Sequence, residues 1–341
     1  MFGAGALDRI RDETEALGCS RVLVIAGGSA ARAGEQAATL LGDLVAGTFA
    51  EVRQHVPEEL AARAVEAAQT EGADGAVTVG GGSTIGLGKV IAATADVPLI
   101  AVPTTYSGSE MTPIYGVTGE RKVTRRDLRA LPKTVIYDPA LTTGLPARVT
   151  ASSGLNALAH CMEAFVGPGA NPPAALAARE ASAILPGALR SCVETPADEE
   201  ARSRTQYGGF LAGRALALAG TGLQHKLAHT LGGRFGLVHA DAHAVLLPHV
   251  AAFHERYEPG PMSRFAQALG AGADGSAAEA LHRLAVDTGA PHSLAELGMP
   301  REGIDVVVED ITGTADPDAI RALLEEAFQP MMPKAPEGGT S

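Results

Sequence analysis

The chain has 341 residues, 46% of them apolar, which is long and greasy enough for two domains. A formal net charge of -12 argues against nucleic acid and anionic membranes as partners, because both reward basic patches. Cys19, Cys161 and Cys192 are far apart and odd in number, so no disulfide framework or CxxC metal knuckle follows from them. With no basic leader and no apolar run near the length of a membrane span, a soluble cytoplasmic protein is expected.

Residues 5–18 have helical spacing and stop at Gly18. The run RVLVIAGGSA then reads as a buried strand entering a glycine turn and an Ala-rich helix. A further helix is predicted from about Pro57 to Glu71. In the stretch that follows, AVTV and PLIAVPT read as short strands bracketing a helix that opens at Gly80-Gly81-Gly82-Ser83, the βαβ unit of a parallel sheet. Val117 to Asp138 is expected to add an antiparallel pair and a last strand. After Leu145-Pro146 nearly every segment reads as helix, with breaks at GPGANPP, at Thr221-Gly222 and at EPGP. The expected fold class is α/β, an N-terminal Rossmann-like parallel-sheet domain over 1–146 followed by an all-α domain over 147–341, with the Pro- and Gly-rich tail loose beyond about residue 332.

Two stretches carry chemistry. The strand–Gly81–Gly82–Ser83–helix junction suits a phosphate, because glycine lets backbone approach closely and a helix N-terminus offers amides and a positive dipole end. It is neither the GxGxxG fingerprint nor a Walker A loop. Thr104 and Thr105 end the next strand at the same sheet edge, where their hydroxyls either hold a nucleotide or cap a turn. The second stretch, Gly222 to His249, holds His225, His229, His239, His243 and His249. His225 and His229 share a helix face; Gly232-Gly233 is expected to break that helix, and His239 to follow on a loop returning to the same pocket.

Taken together, GGGSTIGLGK at 80–89, PTTYSGSEMTPI at 103–114, LPKTVIYDPALT at 131–142 and HKLAHTLGGRFGLVHADAHAVLLPH at 225–249 resemble the iron-containing alcohol dehydrogenase-like superfamily, and within it the maleylacetate reductases. The resemblance implies a dehydroquinate synthase-like architecture and NADH or NADPH as cofactor, bound through Gly81, Gly82, Ser83, Thr104 and Thr105. It also implies a small-molecule substrate and a homodimer. Metal-dependent members bind their ion through an aspartate, a histidine four residues on and two histidines of the HxxxH region. Here Asn156 stands at the aspartate position, and His160, His225 and His239 match the others. Three imidazoles and an amide make a weaker divalent site than one with a carboxylate, so a metal-free enzyme is expected. If an ion is bound, His160, His225 and His239 are its ligands. Gly86, where the metal-dependent members carry an acid, points the same way.

What this implies is reduction of the conjugated C=C of maleylacetate, or a related enone, to 3-oxoadipate in aromatic-compound degradation. His229, His239 and Tyr106 would serve as proton and hydrogen-bond donors. Asn156, His160, His225 and Lys226 would hold the substrate, with Arg234 as a further cation, while His243, His249 and His254 are read as structural. The same scaffold also serves metal-dependent alcohol dehydrogenases, biosynthetic reductases and cyclases or lyases. Two departures from the family are a start at MFGAG, expected to leave a sheet edge uncovered, and Ala26-Gly27-Gly28-Ser29, which offers neither an acid for the NAD ribose nor a base for the NADP phosphate.

Overall fold

Val22–Ile25 reads VLVI and buries all four side chains, as a strand covered on both faces must. In the computed structural model, which describes residues 1–119, 122–272, 274–311, 313 and 315–330, this strand (β1) lies inside the first of two units, Met1–Gly144. It is followed by β2 (Val45–Phe49), β3 (Gly75–Gly80), β4 (Leu99–Pro103), β5 (Ile114–Thr118), β6 (Lys122–Arg126) and β7 (Thr134–Val135). Five of them form a parallel sheet in the order β2-β1-β3-β4-β7, and β5 and β6 pair antiparallel.

Alternation along β1 decides which core each residue joins. Val22 and Val24 pack with Leu7, Ile10, Ala37 and Leu41 on one face, beneath α1 (Ile10–Ala16) and α2 (Ala31–Leu41). Leu23 and Ile25 pack with Ala61, Ala64, Leu87 and Ile91 on the other, beneath α3 (Glu58–Thr70) and α4 (Gly82–Ala95). Each fully buried aliphatic chain contributes about 1.5–3 kcal/mol. The edge beyond β7 is not bare, contrary to expectation. Residues 1–3 run along it: the Met1 amino group donates to Val135 O at 2.7 Å, Tyr137 N to Met1 O at 3.0 Å, and Gly3 N to Tyr137 O at 3.0 Å.

The second unit, from Leu145, is helical: α5 (Ala147–Val166), α6 (Pro172–Glu194), α7 (Glu199–Ala219), α8 (Leu223–Phe235), α9 (His239–Tyr257), α10 (Pro259–Ala268), α11 (Ala277–Thr288), α12 (Gly303–Asp310) and α13 (Pro317–Phe328). Every residue of α5 from Thr150 to Phe165 is buried, so this helix has no solvent face and its polar residues are held inside the unit. Asn171 and Asp198 cap α6 and α7, each side chain accepting from a backbone N–H at 3.0 Å. The Gly232-Gly233 pair does not interrupt α8. The helix runs through it to Gly236, which adopts the left-handed conformation (φ +67°) that ends helices. His239 is accordingly the first residue of α9 and not part of a loop. Among the described residues, no helix is long and apolar enough to cross a membrane. The expected loose tail lies outside them.

Candidate active site

In the first unit the glycine loop sits where β3 passes into α4. Gly80 lies beyond the usual range for a side chain (φ +158°), and a Cβ there would meet Thr84 Oγ1 at 2.3 Å. A Cβ on Gly81 would stand 3.1 Å from the Thr105 methyl, and one on Gly82 3.2 Å from Ser107 Oγ. Glycine thus lets the loop lie directly against the strand end that carries Thr104, Thr105 and Ser107, and Thr104 N donates to Gly80 O at 3.0 Å. With Ser83 in the first turn of α4, the five expected cofactor residues fall together. Backbone amides at the start of a 14-residue helix, flanked by hydroxyls, make a cradle that fits a dinucleotide's phosphates. Tyr106 belongs to the same strand end and is buried. Gly86 faces Val56, whose methyl would stand 3.3 Å from an added Cβ; Val56 itself is held at φ +47°, an unusual conformation for a β-branched residue.

Sequence reasoning missed what holds this strand end in place. Lys89, at the end of GGGSTIGLGK, is buried in α4 and donates to Ser109 O, Thr112 Oγ1 (3.2 Å) and Ile114 O (2.8 Å). Burial lowers its ammonium to about 7, an effect that nearby Glu110 opposes. Burial in turn raises the Glu110 carboxyl, which accepts from the Tyr137 hydroxyl at 2.9 Å. The visible signal was a lysine in an otherwise apolar helix.

In the second unit, α8 and α9 form a hairpin whose facing sides carry two rungs of histidine. Near the turn, His229 and His239 have ring centroids 5.2 Å apart; one helical turn back, His225 and His243 are 4.4 Å apart. Along the helices the rungs join through His225–His229 at 6.1 Å and His239–His243 at 4.5 Å. From α5, His160 stacks on His225 at 4.7 Å with 18° between the planes. His160, His225 and His243 are buried, whereas His229 and His239 keep partial exposure, so the ladder has a closed rung and an open one. His243, read as structural, belongs to this cluster.

Three buried polar side chains, none of them singled out from sequence, support the ladder. Glu163, one helical turn beyond His160, accepts from His225 Nδ1 at 2.5 Å and from His225 N at 3.1 Å. Burial alone would raise this carboxyl, but the charge and N–H groups of His225, with the Gly222 amide, outweigh it and leave the carboxylate below its ordinary value. Gln224 Nε2 donates to His243 Nδ1 and to His243 O, both at 3.1 Å, so neutral His243 carries its proton on Nε2. Burial, followed by the four neighbouring imidazoles, holds His243 well below the ordinary histidine value. Asp241, in the first turn of α9, accepts from Ser152 Oγ at 2.5 Å and Arg148 Nη2 at 2.9 Å, which ties α9 to α5. The spacing of Asn156, His160 and Glu163 was the available signal, since all three share one face of a buried helix.

Asn156 is buried beside His160 on α5, and neither its Oδ1 nor His225 Nε2 has a hydrogen-bond partner among the described residues. Lys226 and Arg234 do not join the site as expected. Lys226 is exposed, about 100° around α8 from His225. Arg234 is committed to Asp310 through two contacts of 2.6 Å. His254 pairs with Glu258 at 2.8 Å, and His249 is buried near His282.

A glycine-cradled nucleotide loop on a parallel sheet, together with a helical unit presenting clustered histidines, defines a dinucleotide-dependent oxidoreductase class. The iron-containing alcohol dehydrogenase family model matches residues 1–139, and the model for the C-terminal part of that family matches 150–325. The chain belongs to the iron-containing alcohol dehydrogenase family. Within it the similarity is to maleylacetate reductases, 47% identical for that of Burkholderia cepacia (98% of this chain, 96% of the relative). The enzyme of Pseudomonas sp. strain P51 is 42% identical, over 96% and 95%. The solved maleylacetate reductase of Rhizobium sp. strain MTP-10005 superposes with a TM-score of 0.90 at 42% identity, over 98% and 96% of the two chains. The chain is a reductase of that type.

The family name implies a metal, and the residues here do not fit one. The position one turn before His160 offers a neutral amide in place of a carboxylate. Among the described residues, no three His, Cys, Asp or Glu side chains are grouped to hold an ion.

Proposed function

We propose that the chain catalyses NADH- or NADPH-dependent, metal-free reduction of the conjugated C=C of maleylacetate, the substrate named for its relatives, giving 3-oxoadipate in the breakdown of aromatic compounds. The observation that carries this reading is the open imidazole rung of His229 and His239 backed by the closed rung of His225 and His243. The nicotinamide cofactor, held by Gly81, Gly82, Ser83, Thr104 and Thr105, supplies a hydride when bound.

Saturating a double bond conjugated to a ketone places negative charge on the ketone oxygen and requires a proton at the neighbouring carbon. His229 and His239, partly exposed and in ring contact, are positioned to donate to that oxygen and to deliver the proton. His225 presents Nε2, the atom opposite its bond to Glu163, and Asn156 presents Oδ1; both are acceptors, suited to holding a water or a protonated imidazole that in turn donates to a substrate carboxylate or carbonyl. Tyr106 is a second hydrogen-bond donor in this scheme.

The test is NADH and NADPH oxidation with maleylacetate, with and without a chelator. Oxidation that depends on maleylacetate and survives chelation is the expected result. Loss of activity on chelation would refute the metal-free reading, and no oxidation with either cofactor would refute the substrate.

A further inference from the structure

His243 has no role in the chemistry above, yet it touches more of the cluster than any rung partner needs. Because α8 and α9 run back along each other, residues nearest the turn oppose one another and those one turn further do likewise. His229 therefore faces His239, and His225 faces His243. His225 and His239, two of the three positions from which the family would hold an ion, are left as a diagonal of the ladder. The His243 ring contacts both, at 4.4 Å and 4.5 Å between centroids, and reaches His160, the third position, at 6.5 Å.

Two imidazoles bound to one tetrahedral zinc, each Zn–N bond about 2.0–2.1 Å, bring their ligating nitrogens to roughly 3.3 Å from each other. The His243 ring, in contact with both, fills space into which His225 and His239 would have to move to bring their nitrogens that close. The ring is also fixed: it is fully buried, and Gln224, itself anchored on the His243 carbonyl, donates to its Nδ1. Rotating it aside would cost the buried Gln224 amide its Nδ1 acceptor and leave it only the His243 carbonyl, at a cost of about 1–3 kcal/mol.

We propose that His243 is a positioning residue that excludes divalent metal: its buried ring wedges His225 and His239 apart and converts three potential ligands into separate proton-handling groups. Asn156 withdraws the charge a metal would need, and His243 withdraws the space. This inference rests on the metal-free reading above and deepens it.

The test measures zinc retained after incubation and desalting, by elemental analysis, for wild type, Asn156→Asp, and Asn156→Asp combined with His243→Asn. Asparagine is smaller than histidine yet still accepts from the Gln224 amide, so the buried partner stays satisfied. Wild type and Asn156→Asp should retain less than about 0.1 zinc per chain, and the double variant about one. Zinc should raise the thermal midpoint of the double variant by several degrees, reversibly with chelator, as a ligand bound only to the native state does. Full uptake by Asn156→Asp alone would overturn the proposal whether or not the double variant folds. A folded double variant that takes up no zinc would overturn it too while leaving the metal-free reading intact. Stoichiometric zinc in the wild type would overturn both.

Discussion

Glu163→Gln is the sharpest test of how the closed rung is held. Glu163 accepts from His225 Nδ1 at 2.5 Å and from His225 N at 3.1 Å inside a helix with no solvent face. Glutamine keeps the volume and one acceptor oxygen, but its NH2 then meets either a backbone N–H or the imidazole N–H, donor against donor. Breaking a buried charged pair outright costs about 3–5 kcal/mol, and a hydrogen bond to a charged group contributes about 1.5–3. With one acceptor kept, a loss near 3 kcal/mol follows, or a drop in the thermal midpoint of the helical unit of roughly 6–12 °C. The second effect is on chemistry. Without the carboxylate, nothing requires His225 to carry its proton on Nδ1, so Nε2 no longer presents a fixed lone pair. Loss of such an orienting partner typically reduces activity about 10- to 100-fold. Circular dichroism melting gives the first number, cofactor oxidation the second, and nitrogen chemical shifts of the His225 ring report the tautomer. A variant that melts with the wild type and turns over at the same rate would refute the reasoning.

Other outcomes follow from the same geometry. His239→Ala should lower kcat on the order of 10²-fold with the fold intact, as loss of a general acid does; an unchanged rate would remove His239 from the proton path. Gly80→Ala places a Cβ 2.3 Å from Thr84 Oγ1 and must push the first turn of α4 aside, so KM for the cofactor should rise at least about tenfold in steady-state assays; an unchanged KM would detach the loop from nucleotide binding. Burial and then the nearby His282 hold His249 at about 4 rather than 6.5. Between those values the unfolded chain binds a proton that the native chain does not, so stability falls as pH drops, by about 3 kcal/mol for this group alone. Glu163, with its lowered native pKa, contributes in the same direction at more acid pH. Denaturant titrations across this range should show the decline, and His249→Gln should flatten its upper part; a wild type equally stable throughout would contradict the burial argument.

Much of the fold was legible because its signals are local. VLVI and AVTV are runs that only a two-sided sheet can bury, and the Ala- and Leu-rich segments after Pro146, broken at Pro- and Gly-containing stretches, read as helix. Gly232-Gly233 misled because the penalty for glycine inside a helix, about 1 kcal/mol each, is small beside the packing that Phe235 gains against the core when the helix continues. At the site, the histidines themselves were plain to see and His229 and His239 do meet as expected, but that His243 faces His225 was not legible. Opposition depends on where the hairpin turns, and moving the turn from Gly232 to Gly236 shifts the partner of every rung. Glu163 and Gln224 escaped notice for a related reason. Each matters through a contact with a ring on another helix, 62 and 19 residues away in sequence.

On the proposed metal-free reading, the closed rung also bears on how an alcohol dehydrogenase scaffold would work without the ion for which its family is named. A metal does two things for a cluster of imidazoles: it orients the rings, and it supplies positive charge where negative charge develops. Orientation here comes from Glu163 and Gln224. The carboxylate accepts from His225 Nδ1–H and leaves Nε2 as a lone pair, whereas the amide donates to Nδ1 of His243 and leaves the proton on Nε2. The two rings of the closed rung thus hold opposite tautomers before any substrate arrives, the preorganisation that makes buried dipoles effective in catalysis. On the proposed reading, charge then comes from the open rung, where partial exposure lets His229 and His239 exchange protons with water. On that reading, the burial gradient from one rung to the next divides the metal's two duties between them: the closed rung, fixed by Glu163 and Gln224, orients, and the open rung supplies charge.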